Sequence, residues 1–423
     1  MKSLEPTVAP AHPFLDWPVV TDPASWQADI AVLGIRHSEP YAHDSFPNDQ
    51  SRAPDAIREA SKVFCYNAAH WDFDTGAVTN EALPARRMDI GNVGWSGKGD
   101  YAIYSAAITE RVRHFWRQRA QLIVLGGDHG VTIPVLDALD AVGEPVYILH
   151  VDAHLDWREE VGGIRRGYSN PLQWASKLAA VSGMTQIGMR GIGSARRLEV
   201  EAARAYGSKL FTAEQIHRDG MDPVLATIPE GRAVYVTIDA DGLDPTEMPA
   251  VMAPTPGGIY YRQLAPLLRA VAKRNRVVGI DLVEVAPSYD FKNGLTCVMA
   301  GRLILNAIGG VRDRSAATSS PCSPAPRPRP SRPGSAPNRG RCASAWSAAA
   351  LSARRLRCTC PKPALASRCS RRPDRRWVQR GIPPPGSMPS LPTRITECSG
   401  SRAWRPSAIS IGRSGSASPG AAI

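Results

Sequence analysis

VYILHVDAHLD (Val146–Asp156) sets an apolar run against three polar side chains at alternating positions, Asp152, His154 and Asp156. An apolar run of this kind reads as a strand buried on both faces, which is the habit of parallel sheets. If the chain stays extended beyond it, residues at i, i+2 and i+4 share one side. Two carboxylates and an imidazole then converge just past the strand end.

The same arrangement recurs on either side of this segment. Ile30–Leu33 leads into Gly34, and Leu122–Leu125 into Gly126-Gly127-Asp128-His129-Gly130, where the paired glycines are read as allowing a sharp turn. Ala233–Ile238 leads into Asp239-Ala240-Asp241, and Val277–Leu282 into Glu284. Helical patterns intervene at Tyr101–Arg119, Pro134–Ala141, Arg196–Tyr206, Arg262–Lys273 and Leu295–Ile308. Strands alternating with helices predict an α/β fold with a mostly parallel sheet covered on both faces. In such sheets ligands bind beyond the carboxyl ends of the strands, where these acids and histidines fall.

Composition divides the chain near Val311. The whole has 423 residues and a net charge of +12, but the 112 residues from Arg312 onward hold 20 Arg, one Lys and only three acids. The first 311 residues therefore carry −6, and the basic character belongs to the tail. Arg, Pro and Ser make up 57 of those 112 residues, a composition unable to bury enough apolar surface to offset its ordering entropy. It also matches GC-rich DNA read in a shifted frame, so residues 312–423 are read as disordered and as a candidate frameshift product. The rival, a nucleic-acid-binding arm, is disfavoured by the scarcity of aromatics for base stacking. Cys358-Thr359-Cys360 lacks the second spaced pair that a zinc site needs.

No apolar stretch approaches the roughly 18 residues of a membrane span. The first twenty residues carry acids and prolines in place of an apolar signal core, so export is not expected. Only Cys65 and Cys297 precede the tail, which fits a reduced compartment, most simply the cytoplasm.

Taken singly, each polar cluster has an ordinary reading. An Asp after a strand commonly caps a turn, and a lone His is commonly a hydrogen-bonded core or surface residue. Together, Asp152, Asp156, Asp239 and Asp241 cannot all ionise at one sheet edge without positive charge among them. Two divalent cations carry that charge. With His129 and His154, these groups form a mainly hard donor set that suits Mn²⁺, leaves Mg²⁺, Fe²⁺, Co²⁺ or Ni²⁺ open, and argues against a thiolate zinc site. Two such ions sharing a water would generate hydroxide near neutrality, which is the chemistry of metal-assisted hydrolysis.

LGGDHG (Leu125–Gly130), VDAHLDW (Val151–Trp157), TIDADGLDP (Thr237–Pro245) and DLVEVAPSYD (Asp281–Asp290) resemble, in order, signature segments of the ureohydrolase family, which contains agmatinase, guanidinobutyrase and arginase. SRAPDAIREAS (Ser51–Ser61) and MDIGNVGW (Met88–Trp95) extend the likeness, which runs from about Ile30 to about Gly310. The resemblance implies a three-layer αβα, arginase-like catalytic domain over residues 30–311, with a central sheet of about eight strands and a 1–29 extension before it. It implies two Mn²⁺ per chain, with Asp152 and Asp239 bridging, His129 and Asp156 completing one ion and His154 and Asp241 the other. Glu284 would bind the substrate guanidinium, and hydroxide would attack the guanidinium carbon to release urea and an amine. It further implies a homo-oligomer, a trimer or hexamer. Asp128 and Asp244 are read as residues that orient ligands and loops, and His150 as a packed, hydrogen-bonded residue rather than a ligand.

The sequence departs from the family at Tyr168, in Tyr168-Ser169-Asn170-Pro171, where many members place a proton-shuttling histidine. A phenol titrates near about 10 against about 6.5 for imidazole, so it is the poorer shuttle, although it can donate a hydrogen bond. For the far end of the substrate, the loop 157–168 offers Glu159 and Glu160 to an amine such as that of agmatine. It also offers Arg158, Arg165 and Arg166 to a carboxylate such as that of 4-guanidinobutyrate. Rival readings are a formimidoylglutamate-type amidine hydrolase on the same scaffold, a single-zinc deacetylase, and a metal-binding protein without catalysis. A dinucleotide fingerprint at Gly191-Ile192-Gly193 fails, because Arg196 stands where its third glycine belongs.

Overall fold

All five apolar runs are strands, and three further strands complete the sheet. In chain order these are β1 (Ile30–Gly34), β2 (Arg87–Asn92), β3 (Gln121–Leu125), β4 (Val146–Val151), β5 (Val181–Met189), β6 (Lys209–Thr212), β7 (Ala233–Asp239) and β8 (Arg276–Val283). The computed structural model describes residues 4–42, 44, 46–65, 69–94, 101–193 and 195–308; the 312–423 tail, its cysteine pair and Trp95 lie outside them. Every pairing in the sheet is parallel, and the spatial order is β2-β1-β3-β8-β7-β4-β5-β6.

Because strand side chains alternate, the sheet feeds two cores. Ile30, Val32, Ile123, Leu125, Val236 and Ile280 pack on one side with α1 (Ala53–Cys65), α4 (Tyr261–Arg274) and α5 (Leu295–Ile308). Ala31, Leu33, Leu122, Val124, Ile148 and Tyr235 pack on the other with α2 (Tyr101–Arg117) and α3 (Arg197–Tyr206). The result is three layers. Each such aliphatic side chain stabilises by roughly 1.5–3 kcal/mol, so truncating Ile123 to Ala at the sheet centre should cost about 2–5 kcal/mol. Among the described residues no helix is long and apolar enough to cross a membrane.

Two expectations shift. The helix read at Pro134–Ala141 is instead a short helix at Thr132–Leu136 followed by a 3₁₀ turn at Leu139–Val142. Described residues before β1 pack into the domain: Phe14, Trp17 and Trp26 are buried, and Val8 and Asn92 exchange backbone hydrogen bonds at 2.8 Å. This segment covers the outer edge of β2, which would otherwise present unpaired amides.

Candidate metal centre

The four central strands, β3, β8, β7 and β4, each end in one of the polar clusters. Their carboxyl ends carry His129, Glu284, the Asp239–Asp241 pair and the Asp152–Asp156 segment respectively, so neighbouring strands deliver the groups that sequence placed at one edge.

Local geometry differs from the simple extended reading. Asp156 is not in extended backbone: its φ is 51°, in the left-handed region, and Glu284 has φ 66°. A non-glycine residue there is strained by roughly 1–3 kcal/mol, and such strain persists only where the surroundings hold it, commonly at functional sites. Asp239 caps a 3₁₀ turn at Ala240–Gly242 and accepts the Asp241 N–H at 2.8 Å. Asp152 Oδ1 accepts the His154 N–H at 2.6 Å. Gly126 and Gly127 are needed for space rather than for a turn with positive φ. A Cβ on Gly127 would fall 1.7 Å from the His37 carbonyl oxygen, and one on Gly126 2.6 Å from Val283.

His129 carries the clearest sign of what the site holds. Its Nε2 is engaged by Thr237 Oγ1 at 2.9 Å. Its Nδ1 is buried and makes no hydrogen bond, yet Oδ2 atoms of Asp156, Asp152 and Asp239 lie 2.9, 3.3 and 3.3 Å away. Three carboxylate oxygens thus gather round one ring nitrogen. On the other side of Asp152, His154 Nδ1 lies 3.3 Å from Asp152 Oδ1 and 3.2 Å from Asp241 Oδ2. Asp152 thus presents one oxygen to each of two groups that could hold a cation: His129 with Asp152 and Asp156, and Asp152 with His154 and Asp241. Oxygen and imidazole donors without thiolate fit a hard or borderline divalent ion.

Left to the protein's own groups, the members of this cluster are pushed apart: the neighbouring imidazoles outweigh burial and hold the Asp152 carboxyl well below its usual range. Burial and the charges of Asp241 and Asp152 hold the Asp239 carboxyl well above its usual range, and burial with Asp152 raises Asp156. Burial opposes charge on His129 and His154, but the surrounding carboxylates outweigh it and raise both rings. Among the described residues no Arg or Lys pairs with these four aspartates. Arg190 stands nearby, but its guanidinium donates to backbone carbonyls, including Asp241 O at 2.7 Å and Leu243 O at 3.1 Å.

His150 also lies in the first group. Gln186 Nε2 donates to the Leu155 carbonyl at 2.8 Å and lies 3.1 Å from His150 Nδ1, so Nδ1 accepts. The ring proton then sits on Nε2 and is donated to Asp152 Oδ2 at 2.9 Å. His150 therefore steadies a carboxylate with both ring nitrogens engaged, in line with the packed role read from sequence. Asp128 accepts the N–H groups of Gly130 at 3.0 Å and Glu39 at 2.5 Å, while burial pushes its carboxyl up to about 6. Asp244 ties its loop through the N–H groups of Thr246, Gly257 and Gly258.

Above the cluster lies a cavity of about 360 Å³, lined in part by His154, Asp239, Asp241, Tyr168 and Glu284. Glu284 accepts the His129 N–H at 2.6 Å and a hydrogen bond from Gln50 Nε2; burial, with the charge of Asp128, raises its pKa. Tyr168 donates its hydroxyl to Asp44 at 2.9 Å, and burial together with that carboxylate raises the phenol. Sequence reasoning missed Gln50, Thr237, Gln186 and Asp44, for each is an ordinary polar residue marked only by where the fold carries it.

Residues 28–309 match the family model described as the arginase family. The N(1)-aminopropylagmatine ureohydrolase of Thermus thermophilus is 39% identical over 203 residues, 47% of this chain and 65% of that protein, so the match spans less than two thirds of the relative. The agmatinase of Chromobacterium violaceum is 30% identical over 296 residues, 68% of this chain and 85% of the relative. Among solved structures, proclavaminate amidinohydrolase from Streptomyces clavuligerus superposes with a TM-score of 0.62 at 26% identity, covering 73% of this chain and 99% of that one.

Proposed function

The chain belongs to the arginase family, and from that premise we propose that it is a manganese-dependent hydrolase that splits the guanidino group of a small molecule, agmatine or a guanidino acid such as 4-guanidinobutyrate, into urea and an amine. The observation that carries this reading is the buried, unbonded His129 Nδ1 aimed at three carboxylate oxygens below a cavity that reaches Glu284.

In this reading His129, Asp152, His154, Asp156, Asp239 and Asp241 would hold two Mn²⁺ ions, with Asp152 and Asp239 common to both, His129 and Asp156 toward one and His154 and Asp241 toward the other. Divalent cations held there would supply a water acidified toward neutrality as the hydrolytic nucleophile. The chain's own groups do the rest. Glu284 receives the guanidinium: with the His129 N–H and Gln50 fixing the carboxylate, its remaining acceptor positions can take a charge-assisted pair of N–H donors. Its negative charge is wanted, because the aspartates are balanced by the cations and a cationic substrate needs one more acid. Asp128 and His150 hold the loop and the shared carboxylate in place, and Tyr168 stays at the site as a neutral donor.

The test is metal analysis of the full chain together with urea release over a panel of guanidino compounds in Mn²⁺. Two ions per chain and urea from at least one compound are expected. One ion per chain, no urea from any guanidino compound, or turnover only of a formimidoyl compound added to the panel, with release of formamide, would overturn the reading.

A further inference from the structure

The charged loop 157–168 is the obvious place to look for contacts to the far end of the substrate, and the structure turns every one of its charges elsewhere. Arg165 lies between Glu159 and Glu160, at 3.3 and 3.2 Å, on an exposed face. Arg166 pairs with Asp137 at 2.6 Å and lies over the Trp174 ring, and Arg158 Nε is 3.4 Å from Glu199. None of these five residues lines the cavity. Among the described residues that do line it there is no Lys or Arg, and outside the His/Asp cluster its charged members are Glu284 and Asp44.

Asp44 is held in place. Its Oδ2 accepts the Tyr41 N–H at 2.7 Å and the Tyr168 hydroxyl at 2.9 Å. The two tyrosine rings pack at a tilt with centroids 4.1 Å apart, and the Tyr41 hydroxyl accepts the Ser169 N–H at 3.1 Å, which ties the loop bearing Asp44 to the loop bearing Tyr168. Phe46, Ile192 and Met252 provide apolar lining for the same cavity. One carboxylate thus stands beside the metal ligands and a second lies on an exposed loop, with apolar surface in the same wall.

We propose that Asp44 determines specificity by receiving an ammonium group at the far end of the substrate, with Tyr168 and Tyr41 positioning it. The substrate class is then a linear alkane bearing a guanidinium at one end and an amine at the other. A guanidino acid would bring its carboxylate against Asp44 with no Lys or Arg among the described lining residues to offset the repulsion. This rests on the guanidino-hydrolase reading above and deepens it.

The test is steady-state urea release from agmatine and from 4-guanidinobutyrate by the Mn²⁺-loaded full chain and by Asp44→Asn, Asp44→Glu and Tyr168→Phe. The wild type should favour agmatine by about 100-fold in kcat/KM, and Asp44→Asn should raise the agmatine KM by about 10- to 30-fold, with the loss falling on KM rather than kcat. The same variant should improve 4-guanidinobutyrate, whereas a folding defect would weaken both substrates. Asp44→Glu should restore part of the agmatine affinity, and Tyr168→Phe should raise that KM by about three- to tenfold. Equal or better use of 4-guanidinobutyrate by the wild type, or an agmatine KM indifferent to Asp44→Asn, overturns the proposal and leaves the guanidino-hydrolase reading standing. No urea from either compound, nor from any other guanidine, removes both.

Discussion

Two buried ionic clusters among the described residues settle their charge in opposite ways. Arg58 and Asp89 are fully buried and meet as a fork, Nε to Oδ2 at 2.8 Å and an Nη to Oδ1 at 2.9 Å. Arg58 also donates to Asn92 Oδ1 at 2.7 Å, and Asp89 accepts the N–H groups of Phe14 and Gly91. Everything that pair needs comes from the chain. The cluster of Asp152, Asp156, Asp239 and Asp241 is almost as buried, but the chain supplies it no arginine or lysine partner among the described residues. A buried charge that serves packing brings its counter-charge with it; one that serves a ligand leaves the balance to come from outside.

The sharpest way to break this contrast is Asp152→Ala. Removing the carboxylate that faces both groups should lower activity by more than about 1,000-fold and empty the site of metal, read by turnover and elemental analysis. Full activity after the change would refute the ligand assignment. Arg58→Met should act on the other cluster alone. By stranding Asp89 it should destabilise the fold by about 3–5 kcal/mol in urea titration, while the ions per folded chain stay as in the wild type. Chelation separates the two again. Stripping the metal should lower the wild-type melting temperature, the lost binding energy being about 2.7 kcal/mol per site if the free ion stood at 100 times its Kd. It should leave Asp152→Ala where it was.

Substitution in the metal-free protein should then show opposite signs. Asp239→Asn relieves crowding of like charges and should raise stability by about 1–2 kcal/mol, whereas Asp89→Asn should lower it. The smallest effect is expected at a cluster between these extremes. Arg302 bonds Asp72 at 2.8 and 2.9 Å and also Asp74. Burial alone would raise the Asp72 carboxyl, but the Arg302 hydrogen bonds and charge, with the Asp74 N–H, bring it below its usual value. A carboxyl lowered by folding stabilises above its unfolded pKa, near about 3.9, and that stability fades as pH falls through the lower folded value. Arg302→Met should therefore lose about 1 kcal/mol at pH 7, and its gap from the wild type should close in acid. A gap that widens in acid would mean the pairing has been read with the wrong sign.

Sequence revealed much of this because the elements that carry the site are also the most strongly patterned. Unbroken apolar runs such as Leu122–Leu125 mark central strands, and polar residues right after them mark the sheet edge. What stayed hidden falls into two kinds. β5 mixes Ser, Gly, Thr and Gln with its apolar residues, and β6 is four half-exposed residues, so neither shows the continuous run of a buried strand. The other kind is set by distant packing. Nothing near Asp44 or Gln50 in the chain announces that a loop after β1 will meet Glu284 and Tyr168, more than a hundred residues on. The left-handed backbone at Glu284 is likewise imposed by surroundings, since its residue type favours other conformations, and at Asp156 the residue type permits it without announcing it.

The sheet order also sets a timetable. β8, the last strand in the chain, lies between β3 and β7, in the middle of the sheet. A chain leaving the ribosome has all six residues proposed to hold metal once Asp241 has emerged, yet β3 and β7 then both present open edges toward a strand not yet made. At typical synthesis rates the roughly forty residues that follow take a few seconds. For that interval two long apolar edges stand ready to pair with a neighbouring chain. Only when β8 slides between them does Glu284 arrive beside the aspartates, so assembly of the site and closure of the sheet against aggregation are a single event.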